Sequence, residues 1–466
     1  MGDIEREPGR SRAPLSRPRR IAAAAALAAA TASLLATGAA AVDRHEIATQ
    51  FASHGTAASE DGRLLFTVSR FDSVAVIDPH DCEYVAAIPL RAFGSRPSGA
   101  AVSRGRLFVT SATGVIAIDA KTFLPVDTIP FDFAIGIEHG AVAAAALSPA
   151  VFAVNGTARN LLRIDAETLR ETGSVALGPD HTALALSPDE RTVYVLDTER
   201  GRLVRVDANS LDVEGGSDVD PSGGFLDIPM EAAVAADGRV LVAYVGGDYL
   251  GRIAVFSRFG FLLDTIVLPA FSTGIAADAL GGHVVTGGGF VLRQRDLAIE
   301  DGFSRRSVGL YSVSADPATG AFHSTNDNDR YVTRLTGLPV PLRVSSGTPE
   351  EGGWISLAID VPPEAGRLAQ VVLSRGRSAG VRVDSLRRFG LDRDDLFTAS
   401  RRATSDDFAG FLARLDANGR ATARVRLSPD VLSPSGEIFA GFVTFEDEPS
   451  RTGVRFVSGP LRIVAR

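Results

Sequence analysis

The chain has 466 residues, 45% of them apolar and 22% charged, with a formal net charge of −8. That length allows two or three domains, the acidic balance argues against a nucleic-acid partner, and a single cysteine, Cys82, excludes an internal disulfide. Lys121 is the only lysine, so arginine carries nearly all of the positive charge.

The first elements do not belong to a fold. The basic stretch RSRAPLSRPRR is followed by the apolar run IAAAAALAAATASLLATG and by Ala39-Ala40-Ala41, small residues suited to a signal peptidase. This three-part layout predicts a secretory signal over residues 1–41, the alternative being an uncleaved anchor. Its removal takes away six Arg and three acids, so the mature charge is −8 − 3 = −11. The mature chain is expected to have no membrane span and to be exported: periplasmic, secreted or at the cell surface. Arg19-Arg20 gives only a weak twin-arginine signal.

From residue 42 a phrase recurs. In LLRIDAETLRETGSVAL, Leu162 and Ile164, then Val175 and Leu177, alternate with period two about a turn that starts at Asp165. An Asp side chain accepts hydrogen bonds from amides two residues on, so the unit reads as strand, Asp turn, strand. The Asp recurs at Asp78, Asp119 and Asp207, with spacings of 41, 46 and 42 residues. Worn copies follow near Ser257 and Asp316. Upstream of the hairpins lie a strand of small residues and a strand of bulky ones, as in HTALALSPDERTVYVLD and EAAVAADGRVLVAYV. An all-strand unit with a period in the forties predicts propeller blades, the small residues lying innermost where the blades converge. Seven blades are expected, alternatively six. The seventh takes AFHSTNDNDRYVTRL with the stretch HEIATQF as its outermost strand, which hides two sheet edges. The segment GGGFVLRQRDLAIEDGFSRRS reads as a long surface loop inside the sixth unit.

After Leu338 the repeat is gone. Pro339-Val-Pro-Leu is a stiff linker, and WISLAIDV, QVVLSRG, GRATARVRLS, GEIFAGFVTFE and SGPLRIVAR are short strands separated by turn signals. The expected fold is all-β: a propeller over residues 42–337, then a small β-sandwich over 338–466. The charged middle of the second domain fits a short helix or a loop, and Asp392, Asp394 and Asp395 read as a solvated face.

The phrases HTALALSPDERTVYVLDTERGRLVRVDANSL and NLLRIDAETL resemble the YVTN-type and lactonase-like β-propeller repeats of exported bacterial proteins. The tail, LDANGRATARVRLSP with GEIFAGFVTFEDEPSRTGVRFVSGPLRIV, resembles β-sandwich modules at the ends of secreted surface proteins. The resemblance implies an envelope propeller, often without known catalysis. Some lactonase-fold proteins hydrolyse sugar lactones, but no residue set of theirs carries over here.

His54, His139 and His181 each stand just before an innermost strand, where a propeller opens its central channel. Far apart in sequence, they could converge on one axis and bind a divalent metal, with Glu138 and Asp180 orienting them. The alternative is a hydrogen-bonded rim. No resident cofactor is expected beyond that possible metal. Asn326-Asp327-Asn328-Asp329 lacks the spaced ligands of a calcium loop and reads as a turn. Cys82 fills the apolar slot of Phe123 and Leu169 and reads as a buried hydrophobe. No G-x-S-x-G, P-loop or H-E-x-x-H is present. These features point to a non-catalytic, monomeric scaffold that binds an envelope protein or a small ligand. The alternative is a lactonase-like or metal-dependent hydrolase working at the channel mouth.

Overall fold

The structure is a computed structural model. It describes residues 42–465 apart from short breaks, the longest at 131–139, 220–227, 303–310 and 447–453. Among the described residues, seven successive four-stranded antiparallel sheets form before residue 337. The first holds Ser53–Ala58, Leu65–Ser69, Ser73–Asp78 and Glu83–Pro89, in that order from inside to outside. The inner strands of the next six are Ala100–Ser103, Gly140–Ala144, His181–Leu186, Ile228–Val234, Ile275–Ala277 and Tyr311–Ala315. Each inner strand neighbours the next, and the seventh neighbours the first. The sheets are those of a β-propeller.

The Asp turns join the third and outer strands, and their chemistry is uniform. Asp165 Oδ1 accepts the amides of Glu167 (3.0 Å) and Thr168 (2.7 Å) and the Thr168 hydroxyl (3.0 Å). Asp119 does the same for Lys121 and Thr122, Asp207 for Asn209 and Ser210, and Asp78 for His80 and Asp81. These bonds to the charged form hold the Asp119, Asp165 and Asp207 carboxyls below the usual range, the amides of Thr122, Thr168 and Ser210 contributing most. Each turn then passes through a left-handed residue: Cys82, Phe123, Leu169 and Leu211 have φ between 57 and 62°. The apolar slot Cys82 shares with Phe123 and Leu169 is thus a conformational one as well.

Neighbouring sheets are clamped at these turns. Arg163 in sheet three donates to the carbonyls of Ala208 and Asn209 in sheet four. Arg106 reaches Ala166 and Glu167 in the same way, and Arg239 reaches Gln294 and Arg295. Between sheets four and five the buried Tyr194 hydroxyl takes the part, donating to the Arg258 carbonyl at 2.8 Å. Burial raises the Tyr194 pKa, so this donor stays protonated.

Sheet six, and the Asp316 turn of sheet seven, differ from the sequence reading, while the outermost strand expected in HEIATQF pairs in sheet seven. The segment expected as a surface loop contains Phe290–Arg293 and Ile299–Gly302, the third and outer strands of sheet six. Its turn lacks the Asp-Ala phrase but keeps the left-handed residue, Leu297, at φ 57°. Asp316, taken as a worn hairpin turn, instead starts the turn between the inner and second strands of sheet seven. The second and third strands of that sheet are Phe322–Asn326 and Tyr331–Thr336, and Asp43–Ala48 is its outermost, in register from Asp43 opposite Thr336 to Ala48 opposite Tyr331. Asp327 to Asp329 lie outside the described residues.

Beyond residue 340 the strands form a four-stranded sheet with Leu342–Ser346, Trp354–Asp360 and Arg420–Arg426, and a five-stranded one with Leu368–Ser374 and Glu437–Phe445. They share one apolar cluster, which includes Leu357 and Val425 from the first and Val371 and Phe442 from the second. The charged middle carries a helix, Asp395–Arg402. Asp394 is its cap, not part of a solvated face: its Oδ1 accepts the Phe397 amide and its Oδ2 the Arg375 amide, both at 2.7 Å. Buried Glu364 pairs with Arg295 of sheet six and accepts the Thr444 hydroxyl at 2.8 Å. Among the described residues no helix is long and apolar enough to cross a membrane.

Candidate functional site

The inner strands carry the site because their residues line the space they enclose. Counting four residues back from the turn after each inner strand gives Gly55, Gly99, Ala141, Ala183, Glu231, Gly274 and Ser312. Six of the seven are small. At Gly55 the reason is contact: a Cβ there would come within 2.3 Å of the Ser98 carbonyl oxygen in the adjoining sheet.

Glu231 breaks the rule. Its Oε2 accepts the Ile275 amide of sheet six at 2.8 Å, and the Val313 amide of sheet seven also bonds to the carboxyl. One side chain thus ties three inner strands together through amides their own sheets leave unused. The side chain is half-buried by surface but enclosed by protein, and the enclosure governs its proton. Burial pushes the pKa up to about 8, against the pull of the two amides. At neutral pH Glu231 is largely a neutral acid, a state that suits proton donation.

Of the residues singled out in the sequence, the backbone places two at the starting ends of inner strands. His54 sits at a bulge between Ser53 and Gly55 in sheet one, and His181 opposes Asp197 in sheet four. Their side chains, and Glu138, His139 and Asp180 altogether, lie outside the described residues. Among the described residues no cluster of three or more His, Cys, Asp or Glu could hold a metal ion. Glu231 went unread in EAAVAADG, although a charge in a slot that sister strands fill with Gly or Ala was the available signal.

A separate cleft of about 450 Å³ opens between sheets four and five, lined by Tyr194, Arg205, Glu214, Arg258 and Phe259 among others. It includes the Ser187–Thr192 turn, at the opposite end of the inner strand from His181, so it is not the mouth the histidines mark. Its carboxylates are engaged locally. Asp189 accepts the Ser187 hydroxyl at 2.8 Å, Asp207 holds its own turn, and Asp237 pairs with Arg239 at 2.8 Å.

The model of a family described as the SMP-30/gluconolactonase/LRE-like region matches residues 148–286, under a third of the chain. No curated protein matches in sequence. Among solved structures, Kuenenia stuttgartiensis hydrazine synthase is similar over 63% of this chain and 98% of its own, with a TM-score of 0.51 and 14% identity. At that identity the likeness is one of fold, and with the family match it shows a lactonase-like β-propeller.

Proposed function

We propose that the seven sheets are the blades of a closed seven-bladed propeller of YVTN type spanning residues 42–337, followed by a β-sandwich module over 338–466. Residues 1–41 serve as an export signal, and the protein works as a monomer in the periplasm, outside the cell or on its surface. There it is a binding scaffold that presents its channel mouth to a small ligand or an envelope protein. The observation that carries this reading is how the charged side chains are used. In the described turns and gaps they cap, clamp and pair, and Glu231 is the one carboxylate in the seven inner strands. Among the described residues that leaves inner strands of small residues with a single acid, which suits recognition more than hydrolysis by several polar groups.

The match to the SMP-30/gluconolactonase region favours a second reading, a lactonase-like or metal-dependent hydrolase acting at the same mouth. One assay separates them. Purified protein is incubated with sugar and aromatic lactones, with and without Ca²⁺ or Zn²⁺, and its bound metal is measured. The scaffold predicts no turnover above the blank and no stoichiometric metal. Turnover that is lost in Glu231→Gln, or metal that is lost in His181→Ala, sinks the scaffold and establishes the hydrolase.

A further inference from the structure

Seven apolar clusters fill the gaps between neighbouring sheets, one to a gap, and one of them differs in kind. The backbone bonds that close the turn after each inner strand fix a common register in the second strands. One register position faces the next sheet all round the ring. Phe66, Phe108, Phe152, Tyr194, Leu241 and Val285 occupy it, each within the cluster shared with that next sheet.

In sheet seven the position is His323. It is wholly buried, and among the described residues neither ring nitrogen has a hydrogen-bond partner. Ser314, opposite it on the inner strand, and Thr325, two residues on, share its face. Across the gap in sheet one stands Thr56, paired with Thr67 and on the opposite face from the Ala57–Phe66 pair that packs on sheet two. The Ser314, Thr325 and Thr56 hydroxyls are also buried without partners among the described residues. Among the described residues, apolar contact at this gap comes to four buried residues, Ile47, Leu65, Ile77 and Val332, against six to twelve at the other six.

Buried groups of this kind do not stay unpaired, and between two polar faces water supplies the partners. We propose that the contact between sheets seven and one is a hydrated seam, bridged by water at His323, Ser314, Thr325 and Thr56, and that the ring opens there before any other pair of sheets separates. The inference rests on the closed-ring reading above. Covalently, only the short link from Ala48 to Ser53 crosses this seam, so opening it breaks no strand pairing.

The chain carries its own reporter. Cys82, its one cysteine, is half-buried and packs against the seam's apolar cluster. Its reaction with an aromatic disulfide reagent is followed in denaturant below the main transition, for the wild type, His323→Phe and His323→Leu. These variants place at the seam the residues that sheets three and five use at the same register. Wild-type labelling is expected to outrun global unfolding at least tenfold, and the variants are expected to slow it at least tenfold. The inference is overturned if wild-type labelling tracks global unfolding, or if it is fast and unchanged in a folded variant. Amide exchange in Asp43–Ala48 separates the two levels. Protected amides with ungated Cys82 defeat the seam alone, whereas exchange at the rate of free chain defeats the closed ring.

Discussion

Phe152 and His323 hold the same register in sheets three and seven, and both side chains are buried. Phe152 meets Val193 and Val195 of the next sheet, whereas His323 meets a gap faced by threonine. Repetition therefore fixes where a side chain points and leaves open what the gap is made of. A gap sealed by apolar contact is held by the hydrophobic effect, while a polar one is only as strong as the partners its groups find.

Exchanging the two residues is the most direct way to break the comparison. Phe152→His is expected to cost about 4 kcal/mol, the loss of a buried aromatic plus an unpaired ring, as read by denaturant unfolding. A cost below about 1 kcal/mol would mean that the gaps are equally tolerant of polarity, and the distinction would fall. His323→Phe should act in the opposite direction and through pH. Burial holds the His323 pKa down to about 3, below its unfolded value of 6.5. Between those values the unfolded chain takes a proton that the folded one refuses. The contribution is therefore complete above pH 6.5 and is lost as pH falls toward 3, by up to about 4 kcal/mol. The Phe variant should lose this acid limb in thermal melts across that range.

Glu231 sharpens the comparison with the opposite sign. Its folded pKa, about 8, lies above the unfolded value of 4.5, so the folded chain keeps a proton that the unfolded one releases. Stability should be greatest below pH 4.5 and decline as pH rises to about 8, by about 3 kcal/mol once partial exposure is allowed for. Glu231→Gln should flatten that decline, and a slope unchanged in the variant would show that another group sets it. Asp165→Ala should have the smallest effect, about 1 kcal/mol for a turn hydrogen bond. Equilibrium unfolding reads it, and a loss near 4 kcal/mol would mean that the Arg106 clamp on the same turn collapses with it.

Sheets one to four were legible because each Asp turn is a local device. Asp78, Asp119, Asp165 and Asp207 bond amides two and three residues away, so a short phrase carries the whole instruction. Sheet six was misread because Arg293-Gln-Arg-Asp-Leu makes the same turn without the phrase. Its Asp296 instead pairs with Arg293 at 2.9 Å, a substitution no repeat alignment could anticipate. In sheet seven the worn phrase at Asp316 marks the turn between the inner and second strands and not the third and outer pair, whereas the outermost strand expected in HEIATQF does pair there, as Asp43–Ala48. The candidate site was the least legible part. The sequence marked where inner strands begin but passed over Glu231, whose partners lie 44 residues away and farther.

Taken alone, the sequence determined what neighbouring residues can enforce on one another: strand alternation, the Asp turns, the repeat period and the small residues of the inner strands. Tertiary structure decided the rest. It enclosed Glu231 so that burial raises its pKa, made Asp394 the cap of a helix, and set His323 in a gap where its six counterparts are mostly hydrocarbon. The reason is range. A turn is closed by groups a few bonds apart, whereas burial, desolvation and pairing depend on which distant strands the fold brings alongside.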